Sequence, residues 1–101
     1  MPPRDSINRE RNGGARREWA ETLAIGALGF LAADQERLER FLALSGLSPE
    51  TLRAAAEAPG FFAGVLEYLL ADESLLHVFC AHADESPADV VTAHATLIRS
   101  A

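Results

Sequence analysis

Few residues of this chain could do chemistry: three histidines, one cysteine, and a scatter of serines and carboxylates. His77, Cys80 and His82 lie close enough in sequence to raise a zinc site, since imidazole and thiolate are its usual ligands. On a helix His77 and Cys80 share a face, but His82 falls roughly 140° round from His77 at 3.6 residues per turn. His94 could join only from another helix. In an internal repeat of the chain their counterparts are Glu39, Leu42, Leu44 and Ala56, so no parallel set of ligands exists. The four residues are expected at packing or solvent positions, with no metal and no cofactor.

A nucleophilic site needs a Ser or Cys with a base and an orienting acid in reach. Ser48 and Ser86 each precede a proline at a helix start, which commits them to capping. Cys80 falls on an apolar stripe, where a thiol is usually inert. No glycine-rich elbow or phosphate loop accompanies the histidines. Asp34 and Asp72 are accounted for by capping, and most glutamates by a solvated face. The chain is therefore expected not to be an enzyme.

The elements that would position any site are helices. Ala and Leu dominate while β-branched residues are few, a balance that favours helix over sheet. From Arg16 on, Trp19, Leu23, Ala27, Leu28 and Leu31 recur at helical spacing. Asp34 caps a second helix carrying Leu38, Phe41 and Leu42, with Glu36 and Arg40 as an outward i,i+4 pair. Gly46 stops it, and Ser48-Pro49-Glu50-Thr51 starts a third with a narrow inner face of Leu52, Ala55 and Ala56. After Pro59-Gly60 comes a fourth, Phe61 to Leu70, apolar enough to be central. Asp72 caps a fifth (Leu75, Leu76, Phe79, Cys80). Ser86-Pro87 with Asp89 at N3 starts a sixth, lined by Val90, Val91, His94, Leu97 and Ile98.

Shifting the chain by 38 residues aligns 26–56 with 64–94, with eleven of 31 positions identical and no gap. The matches include Asp34 with Asp72, Phe41 with Phe79, and Ser48-Pro49 with Ser86-Pro87. The fold expected is all-α: six short helices as two three-helix repeats, about 16–58 and 60–99, in a compact bundle. Gly26 and Gly29, each costing ~1 kcal/mol relative to Ala within a helix, are expected where helices approach closely.

Residues 1–15, with paired Pro, paired Gly and a single aliphatic side chain, read as a disordered basic tail ahead of a helical domain over 16–101. Residues 1–17 hold five arginines against two carboxylates, a net +3, and the remainder four against thirteen, a net −9. The acidic body repels phosphate, so nucleic acid could bind only through the tail. One cysteine cannot form an intramolecular disulfide, which suggests a reducing compartment. The longest apolar stretch, Leu23 to Ala33, is 11 residues, well short of the ~20 that span a bilayer. With no apolar leader in view, the expectation is a cytoplasmic protein without a membrane role.

At Ala20-Glu21-Thr22-Leu23-Ala24, Ala27 to Ala32 (ALGFLA), Arg40 to Gly46 (RFLALSG) and Phe61 to Asp72 (FFAGVLEYLLAD) the chain resembles domain of unknown function 3572. The Leu75-Leu76 to Cys80 segment fits it as well. The resemblance covers 18 to about 98 and implies a small uncharacterised cytoplasmic protein of alphaproteobacteria. It carries over no activity, cofactor or site residue. The function expected is a small non-enzymatic module that docks a protein partner, another copy of the chain included, with Trp19, Arg16 and Arg17 as candidate partner-binding residues. The alternative is a regulatory nucleic-acid-associated protein acting through the arginine tail.

Overall fold

The computed structural model describes residues 4–100, with side chains over 14–99. Six helices succeed one another: α1 (Arg4–Ala32), α2 (Gln35–Ser45), α3 (Pro49–Ala56), α4 (Phe61–Leu70), α5 (Glu73–Ala83) and α6 (Pro87–Ser100). There is no strand among the described residues.

The boundaries arise from capping chemistry. Asp34 Oδ1 accepts from the Arg37 N–H at 3.2 Å, and Asp72 Oδ1 accepts from the Leu75 N–H at 3.1 Å. Each satisfies a donor that the first turn leaves without a partner. Ser48 and Thr51 bond reciprocally, side chain to backbone, at 3.3 and 2.9 Å. Ser86 and Asp89 do the same at 3.1 and 3.0 Å. Helix α2 ends on Gly46 in the left-handed conformation (φ 75°), and α5 ends on Asp84 in the same conformation (φ 55°). Glycine reaches that region without steric cost, and Asp is among the few other residues that tolerate it.

Helices α1, α4 and α6 pack on one another and form the centre of the bundle. Leu31, Val65, Leu66, Leu69, Phe79 and Val90 are fully buried, and no polar or charged side chain is buried with them among the described residues. Helix α2 leans on α1, α5 on α4 with lesser contacts to α1 and α6, and α3 on α4. Burying each large aliphatic side chain contributes roughly 1.5–3 kcal/mol before ordering costs.

Helices α5 and α6 repeat the register of α2 and α3. Gln35–Ser45 becomes Glu73–Ala83, and Pro49 becomes Pro87, at the same 38-residue shift. The ring contacts are reciprocal: Phe41 meets Tyr68 edge-on at 5.1 Å, and Phe79 meets Phe30 edge-on at 5.5 Å. Phe41 and Phe79 are counterparts, as are Phe30 and Tyr68, so each half lends a ring to the other. The third helices differ. Helix α6 runs 14 residues and buries Val90, Ala93 and Leu97, whereas α3 runs 8 and buries none.

Several expectations are corrected. Gly26 and Gly29 are exposed, and a Cβ at either would meet nothing within 4 Å, so no helix approaches them. The inward stripe of α1 runs through Leu23, Ala27 and Leu31, leaving the glycines on the outer side. Val91 and Ile98 also point outward, because α6 turns Val90, Ala93 and Leu97 to the core. Helix α1 begins at Arg4, ahead of the start expected at Arg16. Of the tail expected to be disordered over 1–15, residues 1–3 and the side chains through residue 13 lie outside the described residues.

Candidate interaction surface

The histidines and the cysteine are dispersed. Cys80 is buried, and burial, with the nearby charges of Glu85 and Asp89, pushes its thiol pKa up. A protonated buried thiol is a poor nucleophile and a poor ligand. His77 is exposed, its Nε2 3.8 Å from Glu73. His82 is exposed and sets its ring 5.5 Å from Phe30. His94 is half-buried, with Nε2 3.8 Å from the Glu67 carboxylate. No three His, Cys, Asp or Glu side chains converge among the described residues. Ser48 and Ser86 both spend their hydroxyls on caps.

Trp19 and Arg17 border different hollows. Trp19 is half-buried against the core and borders a slot of about 160 Å³ with Leu23, Gly26, Phe79 and Glu85. Burial and the charges of Asp89 and Asp84 raise the Glu85 carboxyl pKa, whereas hydrogen bonds to Ser86 and Glu85 lower that of Asp89. Arg17 is paired with Glu21 at 3.1 Å and edges a different hollow, of about 490 Å³, below the α3–α4 turn at Pro59-Gly60. Arg16 is exposed.

A further concave surface lies between α2 and α5. These helices do not pack closely on each other, and the gap between them is a groove of about 280 Å³ lined by Arg37 and Arg40 of α2, Tyr68 of α4, and Asp72, Ser74, Leu75 and Val78 at and within α5. It continues into a second hollow of about 440 Å³ over Arg40, Leu44, Tyr68, Asp72, Glu73 and Ser74. Leu44 is 67% exposed and Val78 46%, two of five large apolar side chains left in solvent. The Arg37 guanidinium rests 4.6 Å above the Phe30 ring, a cation–π contact. The ion pair expected between Glu36 and Arg40 is not formed; Arg40 turns into the groove instead. Among the described residues neither groove arginine pairs with a carboxylate.

Reading the sequence by element missed this groove. A signal was nevertheless present in the repeat: at otherwise matched positions, Arg37 stands opposite Leu75 and Arg40 opposite Val78.

No helix among the described residues is long and apolar enough to cross a membrane. No curated protein and no solved structure matches the chain. One family model does, over residues 17–99, the whole helical body from Arg17 on, under the description "Protein of unknown function (DUF3572)". The chain belongs to that family.

Proposed function

We propose that this protein is a non-enzymatic interaction module that docks a protein partner in the groove between α2 and α5. The observation that carries the reading is the groove itself. Leu44 and Val78 lie open to water beside Tyr68 and Leu75, although the same helices bury Phe41, Leu42, Leu76 and Phe79 efficiently. Apolar side chains gathered at a concave surface with a polar rim are what interfaces use, whereas isolated exposed ones need no explanation. Tyr and Arg, both present here, are residue types enriched at interface hot spots. The lone thiol, protonated and buried, suits a reducing cytoplasm.

The test is the double substitution Leu44→Ser with Val78→Ser, both at exposed positions, so the fold should survive. Circular dichroism checks that first. Capture from the native cell should then lose the partner held by the unaltered chain. Retention of the same partner would place docking elsewhere, and a partner lost instead with Trp19→Ala, in a variant that keeps its fold, would move it to the α1 slot.

A further inference from the structure

Resting on that reading, we infer that the occupant of the α2–α5 groove is an acidic amphipathic helix of another protein. The two walls are counterpart elements from the two halves. Arg37 and Arg40 of α2 hold the positions that Leu75 and Val78 hold in α5, and all four line the same groove. The ring contacts Phe41 on Tyr68 and Phe79 on Phe30 join the two halves. One wall is therefore cationic, the other is aliphatic at Leu75 and Val78 with Asp72 and Ser74 at its N-terminal end, and Tyr68 lies between them. A ligand that satisfies both walls at once must be acidic on one edge and apolar on the other.

Charge strengthens the case. Beyond residue 17 the chain has only four arginines against thirteen carboxylates, and two of the four sit here, three residues apart on one helix face. Two acids share this surface, Asp72 in the groove and Glu73 in the adjoining hollow, and each has a partner of its own. Asp72 caps α5 through the Leu75 N–H, and Glu73 faces His77. No carboxylate among the described residues pairs with Arg37 or Arg40, so an incoming carboxylate would find two guanidinium groups open to charge-assisted bonds. The walls are helices of 11 residues each, ~16 Å long, matching about three turns of a docked helix. Such a helix lays its residues at i, i+3, i+4 and i+7 along the groove. A phosphate backbone would leave the aliphatic side chains Leu75 and Val78 unsatisfied.

The probe is a labelled helical peptide of about 14 residues, with Leu every third or fourth position along one edge and Glu along the adjoining one. Its binding to the full chain is measured by fluorescence anisotropy. It should bind about tenfold or more tighter than the same peptide with Lys for Glu, or polyglutamate of equal length. Arg37→Leu with Arg40→Val, which gives α2 the residues of α5, should weaken binding by about tenfold or more without loss of helicity or thermal stability. Polyglutamate or duplex DNA binding as well as the amphipathic peptide would reduce the site to a general anion site and overturn the inference. Unchanged affinity in the double variant would also overturn it. So would concentration-dependent dimerisation abolished by that variant, which would make a second copy the occupant. If the peptide fails while Leu44→Ser with Val78→Ser still removes a captured partner, the docking groove stands and only the partner's chemistry is wrong. If neither has an effect, both fall.

Discussion

Residues 26–56 and 64–94 obey the same local rules and reach different ends. Both open their second helix on an Asp cap, close it on a left-handed residue, and start the third at Ser-Pro. Both insert one Phe from the second helix against a ring of the other half. Yet α6 becomes part of the central trio while α3 stays at the edge. The cause lies downstream of the start signal. Ala58-Pro59-Gly60 ends the helical stretch after α3, whereas no breaker interrupts the run from Val90 to Ile98, so α6 gains the turns that carry Leu97 to the core. Capping decides where a helix begins, and its length decides what it can bury. The second helices diverge by side chain rather than by length: α2 carries arginines where α5 carries Leu and Val, and the groove between them takes its two-sided character from that difference.

The largest effects should test the likeness of the halves. Phe41 is 3% exposed and Phe79 1%, and replacing either by Ala should cost ~3–5 kcal/mol in denaturant unfolding. One large loss beside one negligible loss would show that the rings are not equivalent.

The next pair tests the difference. Leu97→Ala should cost ~2–5 kcal/mol, since that side chain is buried, while Leu52→Ala on half-buried α3 should cost about 1 kcal/mol. Equal losses would place α3 in the core and dissolve the contrast.

Smaller still are the caps. Asp34→Ala and Asp72→Ala should each lower stability by ~1 kcal/mol, and by similar amounts, because each removes one side-chain acceptor from one helix start.

The third-helix caps should separate by pH. Position N3 is Thr51 in one half and Asp89 in the other. Hydrogen bonds hold the Asp89 pKa below the usual carboxylate range, so its contribution is present above that range and is lost as pH falls through its lowered value. Glu85, raised by burial and by Asp89 and Asp84, acts in the opposite sense and favours the fold when protonated, so the comparison is best made in a Glu85→Gln background. There, the advantage of the chain over Asp89→Asn should shrink on acidification, while the cost of Thr51→Ala stays level. A parallel fall in both would mean that the α6 cap does not draw on the Asp89 charge.

What the sequence made legible was local. Asp34, Ser48, Asp72 and Ser86 announce helix starts because a cap acts within three residues of itself. Six helices and the apolar centre at α4 emerge from such signals and from periodicity. The groove was not legible in the same way, because it exists where two helices fail to pack closely, and no window of the chain records an absence of contact. Gly26 and Gly29 misled for a related reason: small residues permit a close approach without requiring one, and here no helix takes it up. Arg40 misled because an i,i+4 partner was available and unused. Trp19 drew attention by residue type, while Leu44 and Val78, ordinary residues on well-formed helices, matter only through the wall opposite.

The most direct test of the groove is amide-shift mapping by nuclear magnetic resonance of the full chain titrated with the acidic amphipathic peptide. Shifts should concentrate on Arg37 to Leu44 and on Asp72 to Val78, with Tyr68 between them and α3 unmoved. Shifts centred on Arg16, Arg17 and Trp19 instead, with α2 and α5 silent, would contradict the account.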